Sequence, residues 1–347
     1  MHEIQFSGTA GEYFKIWIVN LFLTIITCGI YAAWAKVRTR QYFYANTTIA
    51  GHPFDYLANP VNILKGHLIV GALFICYLVT EQFSPEWAFV LIGLFYMVFP
   101  FLAYKSIQFY THNSAHRNIR FTFKGTLKQS YQLFLLKPLV IPLTLGLYFP
   151  RWIYQRKKWV FGHSGFGSTM NEFSASSKVF YKAYIFASIQ FILIFAIPLC
   201  IMIAFVFMTG GMPSSQSIKN PQMLSMASLS ILASYTGVIL AGAVSQQYIF
   251  STITNHCWNS SRLGHVFINS RLKTGRLVFI QVTNILAILF SLGLMMPWAK
   301  IRRTRYILES LSIETGQSLD EFTAGNQEEV TAVGDAAVDF FDFEIGL

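Results

Sequence analysis

Three cationic collars are the densest chemical feature of the chain: Lys36, Arg38 and Arg40; Arg156, Lys157 and Lys158; and Lys300, Arg302, Arg303 and Arg305. Each follows an apolar run. Cations so placed set membrane topology and hold lipid headgroups, and three converging collars would also suit an anionic lipid or solute. A second set is polar within apolar runs: Asn20, Lys137 and Asn284, accompanied by Thr27, Thr144 and Ser291. An ionisable group inside a membrane is expensive and often functional, which makes Lys137 the foremost single candidate. Snorkelling toward the membrane edge is its simpler role. The hydroxyls can bond their own helix backbone or serve at helix contacts.

Other chemistry is poorly supported. His112 and His116 are four apart, which suits one helix face, yet no carboxylate or cysteine lies near them in sequence. His256-Cys257 is equally bare. Glu81 and Glu86 border one short connection without catalytic partners. The four cysteines, Cys28, Cys76, Cys200 and Cys257, are far apart and form no CxxC. No phosphate-binding glycine loop, GxSxG or HExxH is present. The expectation is a protein that is not an enzyme and carries neither metal nor cofactor.

The elements that position these residues belong to a membrane protein. The 347 residues are 54% hydrophobic, 16% aromatic and only 12% charged, against about 25% charged in an average soluble domain. Mean hydropathy is +0.46. A soluble enzyme, a disordered chain and a disulfide-rich secreted domain are all poor fits. The net charge of +10 is asymmetric: Glu309–Leu347 holds ten acidic residues and no Lys or Arg, so +20 precedes −10. The basic residues sit at the ends of apolar runs, which points to anionic membrane lipids as partners and not to nucleic acid. The N-terminus lacks a signal-peptide pattern, so the first apolar run is expected to stay in the mature protein.

Seven apolar runs are candidates to span the bilayer: about 13–35, 66–83, 87–105, 131–151, 183–209, 223–250 and 276–299. The first, fourth and seventh resemble one another and are termed heads. Aligned on Gly29, Gly146 and Gly293, they share a hydroxyl residue two before the glycine and Asn20, Lys137 or Asn284 nine before it. Trp34-Ala35-Lys36-Val37-Arg38 matches Trp298-Ala299-Lys300-Ile301-Arg302, with Tyr42 and Tyr306 each eight after the tryptophan. The order is head, hairpin, head, hairpin, head. It divides the chain into repeat 1 (1–122), repeat 2 (123–266), repeat 3 (267–327, a head only) and an acidic, phenylalanine-bearing tail (328–347) suited to docking on the basic surface. The predicted fold is an all-α polytopic membrane protein with about seven apolar segments in repeated units. Short alternating stretches at 47–56 and 119–123 predict small extramembrane β-elements.

Loop charge orients the hairpins. The connections 84–86 and 210–222 carry no and one basic residue; 36–65, 105–130, 151–182 and 251–276 carry four, five, six and four. The second and third heads are basic on both flanks, so the three heads cannot all be crossings that obey the positive-inside rule. Either they re-enter on the cytoplasmic side, which Pro138, Pro142, Gly146, Gly293 and Pro297 favour, or one basic loop faces outward.

Phe6-Ser7-Gly8-Thr9, Asn20-Leu21-Phe22-Leu23-Thr24, Gly29-Ile30-Tyr31, Trp34-Ala35-Lys36-Val37-Arg38, Trp298-Ala299-Lys300-Ile301-Arg302 and the final Asp342-Phe343-Glu344-Ile345-Gly346-Leu347 occur in one order. Together they resemble the YjgN-like family of bacterial inner-membrane proteins. The resemblance implies a multi-pass protein of a Gram-negative inner membrane and no particular activity. The middle head departs from it with Arg151-Trp152. Two functions remain open: a transporter or channel-like protein for a small or anionic solute, or a non-transporting lipid-binding or scaffold protein of the envelope.

Overall fold

The computed structural model describes residues 2–208 and 221–315. Ten short strands close an antiparallel barrel in chain order: β1 (His2–Phe6), β2 (Thr47–Ile49), β3 (His52–Tyr56), β4 (Ser114–His116), β5 (Ile119–Phe123), β6 (Ser164–Phe166), β7 (Thr169–Phe173), β8 (Ser261–Leu263), β9 (Val266–Ser270) and β10 (Leu311–Thr315), with β10 pairing back onto β1. Four strand pairs are joined by two-residue turns at one end of the barrel. Ala50 and Gly51, Arg117 and Asn118, Gly167, and Gly264 take positive φ there, as tight turns between right-twisted strands require.

The other strand pairs are separated by helical hairpins, all leaving the opposite end of the barrel. The first is α1 (Ala10–Ile26) and α2 (Ala32–Ala45); the second α3 (Pro60–Phe83) and α4 (Pro85–His112). The third runs through α5 (Leu127–Tyr131), a π turn (Gln132–Leu136), a 3-10 turn (Lys137–Leu139), α6 (Val140–Leu143) and α7 (Phe149–His163). Its irregularity follows from Pro138 and Pro142, which remove backbone donors from the helix. The fourth is α8 (Ser177–Met208) and α9 (Pro221–Asn259), and the fifth α10 (Thr274–Phe290) and α11 (Met296–Glu309). Consecutive helices pack side by side, and α11 packs on α1, so the helices ring the barrel axis as the strands do.

One hydrogen bond recurs at the neck of all five hairpins. The amides of Ser7, Leu57, Lys124, Ser174 and Arg271 donate to the carbonyls of Asn46, Asn113, His163, Ser260 and Ser310 at 2.8–3.0 Å. The two ends of every hairpin therefore meet at the barrel.

The strands alternate with apolar residues inward. Ile4, Ile49, Phe166, Val266, Leu311 and Ile313 form a buried cluster in the lumen. The exposed Glu3, Gln5, Glu172, Arg262 and Glu314 face out, with Glu172 directly opposite Arg262 across β7 and β8. This is the reverse of a lipid-facing barrel, whose outer band is apolar; the barrel is built to sit in water.

These observations correct the all-α fold with seven apolar segments. Among the described residues, four helices are long and apolar enough to cross a membrane: Pro60–Phe83, Glu86–His112, Ser177–Ala204 and Ser228–Asn259. The three heads are short helical hairpins that double back at Gly29, Gly146 and Gly293. Each glycine takes φ of +92, +85 or +92°, and the residue before it is also left-handed. Each glycine amide bonds a carbonyl five residues back, Thr24, Ile141 or Ile288, at 2.8–2.9 Å, a helix-terminating arrangement that glycine adopts at low cost. The 17 residues of α1 rise about 25 Å, less than the roughly 30 Å hydrocarbon core. The head tips are nonetheless bare and apolar: Leu145 and Leu292 are each 94% exposed. Basic residues begin within ten residues after each turn glycine. The heads thus suit shallow insertion from the barrel side, with both ends returning there.

Candidate functional site: the barrel lumen and the cationic legs beneath it

The polar residues of the heads act first as staples. Asn20, buried on α1, donates to the Ala35 carbonyl (3.3 Å) and to Thr39 Oγ1 (3.5 Å) on α2. Asn284 does the same from α10, donating to the Ala299 carbonyl at 3.1 Å. Lys137 holds the corresponding place in the third hairpin, half-buried on its 3-10 turn. Thr27, Thr144 and Ser291 cap the turns: each hydroxyl accepts the amide four residues on, that of Tyr31, Tyr148 or Met295, at 2.9–3.1 Å. These six residues lie in three separate hairpins, each at an equivalent position. Tyr42 and Tyr306 cap the first leg of their own hairpins by accepting the Thr9 and Lys273 amides at 2.8 Å.

The collars fall on α2, α7 and α11, the second legs of the heads. Arg38, Lys158 and Arg305 are exposed. Arg302 donates to Thr283 Oγ1 (2.6 Å) and Asn284 Oδ1 (3.2 Å) and stacks on Trp298. Arg303 donates to Gln281 Oε1, and Arg305 ties the fifth hairpin to the first through the Gly8 carbonyl at 2.7 Å. Arg156 lies over Phe134 and Trp152.

Arg40, Lys157 and Lys300 lie over aromatic rings. The Arg40 guanidinium lies over Tyr56 and Tyr110 and donates to the Tyr56 hydroxyl at 2.6 Å. Lys157 lies over Phe161, and Lys300 over Tyr13 and Phe43. Helical spacing puts Lys36, Arg40 and Tyr44 on one stripe of α2, Lys157 and Phe161 on one of α7, and Lys300 and Leu308 on one of α11. No Asp or Glu shares these stripes.

Tyr44, Phe161 and Leu308 belong to the floor of a cavity that fills the barrel. Its volume is about 620 Å³. Thr111 and Trp258 complete the floor, so each of the five second legs contributes the residue three before its strand. Eight strands make a barrel that side chains just fill; ten leave a void. The wall is mostly apolar, with Ile4, Ile49, Phe121, Phe166, Val266 and Ile268. The polar lining groups, which include Thr47, Ser114, Ser164 and Asn171, lie along the arc from β2 to β7. Tyr44 donates to the Tyr110 hydroxyl or shares a bond with Ser114 Oγ, at 2.7 and 2.9 Å. Arg117 lines the end near its turn.

His116 is the sharpest of these groups. It does not share a helix with His112, which accepts from Arg120 Nη1 at 2.7 Å; it sits on β4 and faces the cavity. Its Nδ1 lies 3.1 Å from the Pro53 carbonyl, so Nδ1 carries the proton, and Nε2 is buried with no protein partner. Nε2 is thus an unpaired buried acceptor on a residue that lines the lumen. Burial depresses the His116 pKa; neighbouring Arg117 and His52 add to this, while the Pro53 carbonyl and Asp55 oppose it. The unfolded chain binds the proton more readily, so His116 subtracts stability as pH falls below the unfolded value of about 6.5. The His116→Leu variant is expected to lose less melting temperature than the parent between pH 7.5 and 5.5; equal losses would discount the histidine.

The lumen was illegible in sequence terms, but its necks carry a signal. Thr47, Ser114, Ser164 and Ser261 each open a strand, and each hydroxyl donates to the carbonyl four before it at 2.7–2.8 Å. A hydroxyl at the end of every second leg marks where helix gives way to barrel.

A polar-skinned chamber held by five helical hairpins, four of whose helices can cross a bilayer, defines an integral membrane protein with an extramembrane barrel. The chain belongs to the family described as "Bacterial protein of unknown function (DUF898)", which it matches over residues 1–340. It is 34% identical over 148 residues to "Inner membrane protein YjgN" of Salmonella typhimurium, covering 42% of this chain and 37% of that one. It is 29% identical over 154 residues to the protein of that name from Escherichia coli K12, covering 43% and 37%. The matched part thus spans little more than a third of these relatives' length. No solved structure matches it. The YjgN-like resemblance read from the motifs holds, and this is a multi-pass inner-membrane protein.

Proposed function

We propose that this protein binds an anionic amphiphile drawn from the membrane, with the apolar part in the barrel lumen and the charged group at the cationic stripes below the floor. The observation that carries the reading is the apolar cavity of about 620 Å³, a size typical of small-molecule sites. Lys36, Arg40, Lys157 and Lys300 lie between that cavity and the inserted tips, where a headgroup would sit. The basic connections all lie on the barrel side, so the positive-inside rule puts the barrel in the cytoplasm. A transporter or channel for a small or anionic solute would want a polar wall along the barrel axis, and the apolar lumen favours lipid binding instead.

The test uses full-length protein in nanodiscs and a dansyl-labelled long-chain fatty acid. Val266→Trp fills the lumen, where space exists to receive the ring, and is expected to weaken probe binding at least tenfold. Phe267→Ala, on the outer face of the same strand, is expected to leave it unchanged. Equal affinity in a folded Val266→Trp protein would overturn the reading.

A further inference from the structure

We infer that the chain's own segment Asp339–Glu344 occupies the lumen, entering from the tight-turn rim as a tethered imitation of the amphiphile. The inference rests on the lumen being a binding chamber and adds how that chamber is regulated. The tail lies outside the described residues, but its point of departure is described. Thr315, the last residue of β10, pairs with Val266, two residues past Gly264 in the β8–β9 turn. The chain therefore leaves at the rim and not at the membrane end.

Reach and chemistry then agree. The residues from 316 to 338 extend up to about 75 Å, several times what a return to the rim requires. Asp339-Phe340-Phe341-Asp342-Phe343-Glu344 spans about 20 Å when extended, close to the roughly 17 Å height of a five-residue strand. It supplies three phenyl rings for an apolar wall and three carboxylates. Cations adjoin that wall at both ends: Arg117 lines the cavity, while Arg40 stacks on the lining ring of Tyr110 and Lys157 on that of Phe161. Eight of the ten acidic residues from Glu309 onward follow Thr315 and so leave at the rim nearest Arg117, while the helical stripes below the floor carry Lys and Arg and no Asp or Glu. A neutral apolar tail would gain only the wall; an acidic polar tail would gain only the cations. This segment matches both.

The experiment places the photo-crosslinker p-benzoylphenylalanine at Phe341 in full-length protein in nanodiscs, with adducts mapped by mass spectrometry. Crosslinks to lumen strands such as β6 and β9 are expected, and they should fall at least fivefold when Asp339, Asp342 and Glu344 become Asn, Asn and Gln. Adducts on the barrel's outer face, on lipid or on a second copy of the chain would overturn the inference. In parallel, deletion of 335–347 should raise affinity for the dansyl fatty acid at least tenfold. Lumen crosslinks together with unchanged affinity would refute the regulatory role. Lumen crosslinks in a protein that binds no probe, whole or truncated, would instead refute the amphiphile reading and leave the plug standing. Strong probe binding without lumen crosslinks would do the reverse.

Discussion

Single cysteines at Ser7, Ala50 and Ser168 will react with an impermeant maleimide from one side of the membrane, and a cysteine at Glu86 from the other. All four positions are exposed, and the exposed native Cys28, Cys76 and Cys200 are first replaced by serine. Ser7 and Ala50 flank the first head, while Ser168 lies in the β6–β7 turn after the third hairpin. If heads were crossings, Ser7 and Ala50 would label from opposite sides. The Ser7 amide instead bonds the Asn46 carbonyl at 3.0 Å, and β1 pairs with β2, so the two flanks cannot be parted by a bilayer without opening the barrel. Glu86 opens the second helix of a pair that can span, with α3 24 residues and α4 28 residues long. The expected contrast is near-complete labelling against near-complete protection. Opposite sidedness for Ser7 and Ala50 would dismantle the barrel description itself.

Replacing Ile313 by aspartate is expected to abolish folded protein, whereas Gln5→Asp, on the other face of the neighbouring strand, should be silent. Ile313 is 8% exposed and opposes Ile268 on β9 and His2 on β1, at the seam that closes the barrel. Losing a buried isoleucine costs about 2–5 kcal/mol, and burying an unpaired carboxylate adds several more. That total rivals the roughly 5–15 kcal/mol by which domains are stable. The readout is the monodisperse fraction on size exclusion after detergent extraction. A monodisperse Ile313→Asp protein would mean that the lumen is wet and would remove the apolar chamber on which the amphiphile reading depends.

Parts of the fold were legible for identifiable reasons. The turn glycines of the heads stood out because few residues besides glycine adopt φ near +90° cheaply, so three breaks fell at matching places in three apolar runs. The basic flanks of the second and third heads set straight crossings against the positive-inside rule. The short stretches at 47–56 and 119–123 alternated visibly, and both are strands. The staples were also visible as residues, Asn20 and Asn284, although their partners Ala35 and Ala299 were not, since a backbone carbonyl leaves no mark on side-chain type.

The barrel was hidden for a different reason. A three-residue strand such as β4, Ser114–His116, holds too little of the period-two pattern to be distinguished from a loop. Its partner β3 lies across a whole helical hairpin, so no local turn announces the pairing. The five hairpins also vary most where they matter for recognition by eye: the first, third and fifth keep a glycine tip, while the second and fourth are lengthened into spans. Asn20 and Lys137 occupy equivalent positions without chemical likeness for the same reason, because the site there is a bend to be held and several side chains can hold it.

By itself, the amino-acid order determined the solvent, the sidedness of the charge and the places where the chain must turn. These follow from composition, from the cost of moving cations across lipid and from the conformational freedom of glycine, all of which are local. Only the tertiary structure decided that the turns return every hairpin to one ring, that ten short strands close it, and that a void remains inside. Closure depends on register between strands up to some three hundred residues apart, from β1 to β10. The void depends on strand number, since ten strands enclose more space than their inward side chains fill. Neither quantity is carried by any one segment, and so neither could be read before the segments met.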